Sequence, residues 1–252
     1  MNALVTAWLL GLAAVPLAGT NAPKPTIVLV HGAFADASSW RKVIPILESD
    51  GYTVTAVQIP LSSLSDDVAA TKRVLDAQTG PIVLVGHSWG GAVITVAAAS
   101  NKNVKSLVYV AAFAPEAGEV VTAPAAKYPA PLLNSVLKPD EAGFVYIDRA
   151  RFHEAFAADL PEADTRIMAA TQKPILGKAF GETVPSAAWK TIPSWYIVST
   201  EDHAINPDLE RFYAKRIGST STEIKASHVP FLSQPGEVAR VIEAAATATS
   251  KQ

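Results

Sequence analysis

A serine between two glycines is the first position in this sequence whose setting suggests chemistry. The segment Gly86–Gly90, GHSWG, fits the pattern G-x-S-x-G and follows the apolar run Ile82–Val85. Alanine-rich residues come next, so the pattern predicts a strand, an abrupt turn and a helix. In that context Ser88 exposes its Oγ on a strained turn above the sheet. Glycines without a Cβ permit such a turn, and the helix N-terminus offers free N–H groups to developing negative charge.

A serine hydroxyl is a weak nucleophile unless a base removes its proton and a third group orients that base. The sequence has five histidines. His31 and His87 fall in predicted turns and His153 in a predicted helix, so we expect these three to order or pack their surroundings. His203 adjoins a pair of acidic residues. His228 follows the last predicted strand and precedes the last helix, where a loop could carry it over the serine, so we predict that His228 is the base.

Two carboxylates are candidates for the orienting acid. Glu201 and Asp202 follow the predicted strand Ser194–Thr200, at the carboxyl edge where open α/β sheets hold their ligands. With either residue the chain order is serine, acid, histidine, which differs from the orders in the two unrelated serine-protease folds. The residues alone leave both carboxylates open.

The elements that must position these side chains alternate along the chain. Apolar, β-branched runs predict strands, and the segments between them have helical patterns. This alternation predicts a mostly parallel sheet covered by helices on both faces. The predicted strands lie at about residues 26–32, 53–59, 82–85, 106–113, 194–200 and 221–226.

One helix has particularly clear end signals. Ser65 is predicted as its N-cap, Asp66 and Asp67 lie in its first turn, and Gly80 ends it. Acidic residues near a helix N-terminus interact favourably with the helix dipole.

The segment from about Pro115 to Pro193 breaks the alternation. Its prolines recur, its strands stop, and its best local pattern is helical. A structureless loop of that length is improbable in a compact domain, so we expect an inserted helical cap over one end of the sheet.

Composition limits the function classes. The 252 residues are 49% hydrophobic, which suits one large domain, predicted over residues 23–252. The formal charge is −2, without a cluster of Lys or Arg, so nucleic acid is not an expected partner. The absence of cysteine excludes disulfides, thiolate metal sites and a cysteine nucleophile. The sequence does not predict an oligomeric state.

The N-terminal 22 residues have the pattern of an export signal. The apolar run Ala3–Ala18 suits a signal-peptide core rather than a full membrane span, although no Lys or Arg precedes it. We predict an exported protein with a soluble body and no stable membrane span after Pro23. The alternative is an apolar helix packed on the domain of a cytoplasmic protein.

Two motifs resemble a known family. The stretches VLVHGAFADASSW and VLVGHSWGGAV resemble the small carboxylesterases near the plant methylesterase and hydroxynitrile lyase group, within the α/β-hydrolase superfamily. The resemblance extends from about Lys24 to the end of the chain. It implies the α/β-hydrolase fold, with the cap as its least specific part.

The resemblance also implies site residues. The family's two oxyanion-hole N–H groups fall on Ala33 and Trp89, with Phe34 as an alternative to Ala33. The family's acid lies in a D-x-x-I-x-P string, which matches the sequence from Asp202 onward. That match favours Asp202 over Glu201.

The implied activity is hydrolysis of a small carboxylic ester. Ser88 would attack the carbonyl, with His228 as base and Asp202 as the acid that orients it, and neither a metal nor an organic cofactor is expected. A serine at the turn disfavours the relatives that use an aspartate nucleophile. Hydroxynitrile lyases of this fold have a lysine beside the catalytic histidine, and Val229 at that position argues against cyanohydrin cleavage. A cofactor-free haloperoxidase or perhydrolase, or a non-catalytic binder of small ligands, remain the alternatives.

Three phenylalanines are candidates for contact with the substrate. Phe34 lies two residues after Gly32 in the first motif. Phe152 and Phe156 are four residues apart on one face of a predicted cap helix, where they could wall the acyl pocket or hold the cap to the core.

Overall fold

Two β-sheets organise the computed structural model, which describes residues 24–249. The predicted export signal at residues 1–22 lies outside the described residues. The strands are β1 (Thr26–Val30), β2 (Val54–Val57), β3 (Ile82–His87), β4 (Val104–Val110), β5 (Leu137–Pro139), β6 (Phe144–Ile147), β7 (Ile175–Leu176), β8 (Ser194–Ser199) and β9 (Thr220–Ile224).

The larger sheet has six strands in the order β2-β1-β3-β4-β8-β9, and every neighbouring pair is parallel. This confirms the mostly parallel sheet predicted from the sequence. From β1 the chain runs outward to β2 and then returns to β3 on the other side of β1. The strand order therefore reverses between β1 and β3, and the carboxyl ends of those two strands flank the crevice where ligands bind in open α/β sheets.

Nine α-helices surround the sheets in the described residues. Helix α2 packs against α3, and α9 packs against α1 and along β3, β4 and β8. The α2 N-cap is Ser63, whose hydroxyl accepts from the N–H of Asp66 at 3.0 Å, so the predicted N-cap at Ser65 is wrong by two residues. The helices are α1 (Ile44–Ser49), α2 (Leu64–Asp76), α3 (Trp89–Ala97), α4 (Leu132–Ser135), α5 (Phe152–Phe156), α6 (Glu162–Thr171), α7 (Pro207–Arg216), α8 (Pro230–Ser233) and α9 (Pro235–Thr249).

Strands in the cap segment correct the expectation of a helical cap. Between β4 and β8 the chain forms α4, α5 and α6, but it also forms a three-stranded antiparallel sheet in the order β5-β6-β7. These strands have two to four residues, too few to show an alternating pattern. Asp140 and Gly143 make the β5–β6 turn: the Asp140 carboxylate accepts from the N–H of Phe144 at 2.9 Å, and Gly143 has a φ of 84°.

The G-x-S-x-G segment forms the junction between β3 and α3. A Cβ added to Gly90 would lie 2.7 Å from the carbonyl oxygens of Val30 and His31, and one added to Gly86 would lie 2.5 Å from the carbonyl oxygen of Gly90. The glycines therefore let α3 start directly against the end of β1. Ser88 lies at the corner between β3 and α3 with a φ of 53°, a positive value that residues other than glycine rarely adopt.

Within the described residues, no helix combines the length and the apolar character that crossing a membrane requires.

The first prediction concerns this junction. Gly90→Ala should lower the free energy of unfolding by about 2 kcal/mol or more, because its Cβ would press on backbone oxygens that cannot move away cheaply. Gly80→Ala is the control, since a Cβ there would meet nothing within 4 Å. Urea denaturation of both variants makes the comparison, and equal stabilities would contradict the close approach of α3 to β1.

Candidate active site

Ser88 is held at the carboxyl end of β3 by backbone hydrogen bonds. Its N–H donates to the carbonyl of Val110 at 3.1 Å, and its own carbonyl accepts from Gly91 at 3.0 Å and from Phe113 at 3.2 Å. The residue is only 7% exposed and lines a cavity of about 110 Å³. The strained turn thus presents the hydroxyl to an enclosed space.

The imidazole of His228 lies on the wall of the same cavity and is fixed from behind by Asp202. His228 Nδ1 is 2.5 Å from Asp202 Oδ2, and both side chains are almost fully buried. The other oxygen, Asp202 Oδ1, accepts from the N–H groups of Ala204 at 2.6 Å and Ile205 at 2.9 Å. Because a carboxylate only accepts, Nδ1 carries the ring proton and leaves Nε2 as the basic nitrogen.

Glu201, the alternative acid, points elsewhere. Its side chain is half exposed and forms an ion pair with Lys225 at 3.5 Å. Its backbone N–H donates to the carbonyl of Ala226, which ties the loop after β8 to the loop after β9. The geometry therefore favours Asp202 as the partner of His228.

The cavity lies between the carboxyl end of the large sheet and the cap. Most of its walls are apolar, with Ser88 and His228 as the two groups able to carry out acid–base or nucleophilic chemistry. The remaining lining residues come from the core (Ala33, Phe34, Phe113, Ala204 and Ile205) and from the cap segment (Thr122, Leu133, Asn134, Leu137, Phe156 and Phe180).

The three candidate phenylalanines have different positions. Phe34 and Phe156 both line the cavity, and their rings meet edge to face at 6.3 Å. Phe156 also packs against the ring of His228 at 5.0 Å. Phe152 is not among the lining residues; it lies behind Phe156, with ring centroids 5.1 Å apart and 1% exposure.

The two predicted oxyanion-hole residues flank Ser88. Ala33 lines the cavity, and Trp89 is the first residue of α3, so its backbone N–H has no acceptor inside that helix. Gly32 lets the loop after β1 approach Ser88 closely, since a Cβ at Gly32 would lie 2.8 Å from the Cβ of Ser88. Phe34, the alternative to Ala33, has a φ of 62°.

Two buried histidines support the site backbone in their neutral form. His87 Nε2 donates to the carbonyl of His228 at 2.8 Å, and burial lowers the pKa of His87 well below its usual value. His31 Nδ1 donates to the carbonyl of Gly32 at 2.8 Å, while its Nε2 accepts from the N–H of Ile59 at 3.2 Å. Burial lowers the pKa of His31 to about 4. Both residues therefore order turns, as the sequence suggests.

The other two histidines make contacts within or to the cap segment. His153 Nδ1 lies 3.3 Å from the hydroxyl of Thr165, and His203 Nδ1 donates to the carbonyl of Glu154 at 2.8 Å. Neither lines the cavity.

Three acidic residues that support the site were missed from the sequence. Asp159 accepts from the backbone N–H of Ser227 at 3.0 Å and from its hydroxyl, which holds the loop before His228. Glu210 is fully buried, and both its burial and the nearby Asp202 carboxylate raise its pKa well above the usual range. Asp67, assigned only to the first turn of α2, is buried and bonds to Trp89. A buried carboxylate in a helix has no distinct sequence signal.

In the part of the chain that the structure describes, no three side chains of the His, Cys, Asp or Glu type lie together as a group able to hold a metal ion.

Comparisons with known proteins place this geometry in context. The family described as "Alpha/beta hydrolase family" matches residues 27–241. The chain is 26% identical over 245 residues to alpha/beta hydrolase nvfD of Aspergillus novofumigatus (strain IBT 16806), covering 88% of this chain and 97% of that protein. It is 25% identical over 247 residues to polyneuridine aldehyde esterase of Rauvolfia serpentina, covering 85% and 93%.

A solved structure adds evidence on the fold. The crystal structure of a novel pyrethroid hydrolase from Sphingobium faniae JZ-2 superposes with a TM-score of 0.77 at 23% identity, covering 90% of this chain and 99% of that one. At this identity the likeness shows the fold alone, and it confirms the fold predicted from the sequence.

The second prediction concerns the protonation of His31. Its folded pKa of about 4 lies below the unfolded value of about 6.5, so the unfolded chain binds the proton more tightly. The stability that the neutral ring contributes is complete above pH 6.5 and decreases as the pH falls toward 4, by up to about 3 kcal/mol. Ring resonances of His31, identified by their loss in His31→Asn, should not titrate between pH 8 and 5. An inflection near pH 6.5 would contradict this environment.

Proposed function

Since this chain belongs to the alpha/beta hydrolase family, we propose that it is a serine esterase that cleaves small carboxylic esters through an acyl-enzyme intermediate. The observation that carries the proposal is the bond between His228 Nδ1 and Asp202 Oδ2, with Ser88 and His228 both lining one cavity. Polyneuridine aldehyde esterase, one of the similar proteins, supports the same reaction class.

In the first half of the proposed reaction, Ser88 Oγ attacks the ester carbonyl while His228 Nε2 takes the hydroxyl proton. Asp202 stabilises the imidazolium that results. The carbonyl oxygen becomes an oxyanion, and the backbone N–H groups of Ala33 and Trp89 hold it. His228 then gives its proton to the leaving alcohol, so that the acyl group remains on Ser88.

In the second half, water replaces the alcohol. His228 takes a proton from the water, the resulting hydroxide attacks the acyl carbonyl, and the carboxylic acid leaves as Ser88 regains its proton. No step needs an external oxidant or reductant.

The size of the cavity bears on the substrate. A cavity of about 150 Å³ can hold benzene, and the volume beside Ser88 is about 110 Å³. The small volume therefore favours a short acyl chain, and the apolar walls suit its hydrocarbon part. Phe156 forms part of the cavity wall.

The third prediction tests the nucleophile and the base. Ser88→Ala should reduce kcat/KM for p-nitrophenyl acetate on the order of 10⁴-fold without lowering Tm, because no other group replaces the nucleophile. His228→Ala should be nearly as damaging.

His203→Ala is the matched control, since this histidine neighbours Asp202 in sequence but is exposed and outside the cavity. It should stay within a few-fold of the wild type. Activity in a folded Ser88→Ala variant comparable to that of the wild type would end the proposal.

The fourth prediction separates the two cap phenylalanines. Phe156→Ala should enlarge the cavity and shift the kcat/KM ratio of octanoate to butyrate p-nitrophenyl esters upward by about tenfold. Phe152→Ala should leave that ratio within about twofold while it lowers the stability by about 3 kcal/mol or more, since its buried ring packs behind Phe156 and does not line the cavity.

Steady-state kinetics of the two variants give the ratio of octanoate to butyrate kcat/KM, and thermal melts give their stabilities. If the ratio stays unchanged in Phe156→Ala, the acyl chain does not occupy this cavity.

A further inference from the structure

Another buried carboxylate, Asp67, lies beside the catalytic turn without lining the cavity. Asp67 is fully buried in the first turn of α2. Its Oδ1 accepts from the backbone N–H of Leu61 at 2.7 Å, and its Oδ2 accepts from the indole Nε1–H of Trp89 at 2.7 Å. Each oxygen thus has one specific donor, and the two donors belong to different parts of the molecule.

One of these donors, Trp89, directly follows the proposed nucleophile Ser88 in the sequence. Its backbone N–H is one of the two proposed oxyanion donors, and its indole is fully buried. The indole meets the ring of Phe180 edge to face at 5.5 Å, and Phe180 lines the catalytic cavity. The orientation of this one indole therefore bears on both the start of α3 and a wall of the cavity.

The other donor, Leu61, belongs to a turn that forms hydrogen bonds to the cap segment. Leu61 has a φ of 63°, and its carbonyl accepts from the N–H of Leu176 in β7 at 2.9 Å. Close by, the Lys173 ammonium donates to the carbonyl of Ile59, and the Glu182 carboxylate accepts from the N–H of Leu64 at 3.1 Å. We name residues 59–64 the cap-seating turn.

The charge of Asp67 suits this role. Burial raises its pKa to about 6, while the hydrogen bonds from Trp89 and Leu61 and the charge of Lys173 oppose that rise. At pH 8 the side chain is therefore ionised and accepts from both donors. Burying a carboxylate costs free energy. The cost is explained here because Trp89 and Leu61 each need an acceptor in a fixed direction, and one carboxylate supplies both.

We propose that Asp67 is a positioning residue for the reaction: by fixing the indole of Trp89 it sets the oxyanion N–H of residue 89 and the Phe180 wall, and it joins both to the cap-seating turn. The inference rests on the proposed esterase function. It predicts that breaking the Asp67–Trp89 bond lowers kcat more than it raises KM, because the oxyanion forms in the transition state.

The test uses Asp67→Asn, Trp89→Phe and the double variant at pH 8. Asparagine has nearly the same shape but only one acceptor oxygen, so in either orientation its NH₂ group faces an N–H donor. We expect a loss in kcat of about 10- to 100-fold with KM within about threefold, as for a small misplacement of reacting groups. Trp89→Phe removes the same bond from the other side and should show the same kind of split.

The double variant tests coupling. Because both single variants break the same Asp67–Trp89 bond, the kcat of the double variant should lie within about threefold of the lower single variant, far above the value expected if the two losses multiplied. Asp66→Asn is the matched control, because this neighbouring carboxylate is exposed and bonds to the Ser62 hydroxyl. It should leave kcat within about twofold.

A purely structural role makes a different prediction. If Asp67→Asn and Trp89→Phe lower Tm but keep the wild-type kcat on folded protein, or if their separate losses in kcat multiply in the double variant, the positioning role is overturned. If Asp67→Asn does not fold, the kcat and KM of Trp89→Phe decide the question.

The failure of the proposed function would be recognised separately, as an absence of esterase activity in the wild type. In that case the backbone ¹H–¹⁵N signal of Trp89 decides: it should shift clearly in Asp67→Asn and stay close to its original position in the control Asp66→Asn. An unmoved signal would overturn the inference without any use of activity.

Discussion

The hydrogen bond between the His228 imidazole and the Asp202 carboxylate is the interaction on which the site is built. It fixes which ring nitrogen is basic, and it requires two loops from neighbouring strands to stay in register. Backbone bonds from Thr200 to Ile224 and from Glu201 to Ala226 keep those loops together. Two backbone N–H groups hold the second carboxylate oxygen, so the charge is fully hydrogen-bonded although it is buried.

A second constraint is that burial disfavours the charged forms of other ionisable groups around this pair. Burial raises the pKa of Glu210 and lowers those of His87 and His31, so it favours the neutral form of each group. Neutral groups still form the directional bonds that hold backbone: Glu210 accepts from the N–H of Ser199 at 2.9 Å, and His87 donates to the His228 carbonyl. These bonds support the site rigidly, while burial disfavours a competing charge near the imidazole.

The sequence predicts the parts of this arrangement that leave a local signal. Gly86–Gly90 has such a signal, because an abrupt junction of strand and helix demands residues without a Cβ. The choice of Asp202 over Glu201 needs the family resemblance. The two carboxylates are adjacent in sequence, and what distinguishes them physically is their tertiary surroundings. Asp67 and Glu210 have no sequence signal, because the N–H groups they accept from lie in other elements of the fold. The cap strands are missed for the same reason: they pair through tertiary contacts, and each is too short to show a period.

The central claim is that Ser88 is a nucleophile activated by His228, and covalent labelling tests it most directly. The protein is treated with a fluorophosphonate ester, which traps activated serines, and then examined by intact-mass spectrometry and peptide mapping. The account predicts one adduct per chain, located on Ser88, absent from Ser88→Ala and formed far more slowly in His228→Ala. An adduct on a different residue, or an unlabelled wild-type protein, would contradict it.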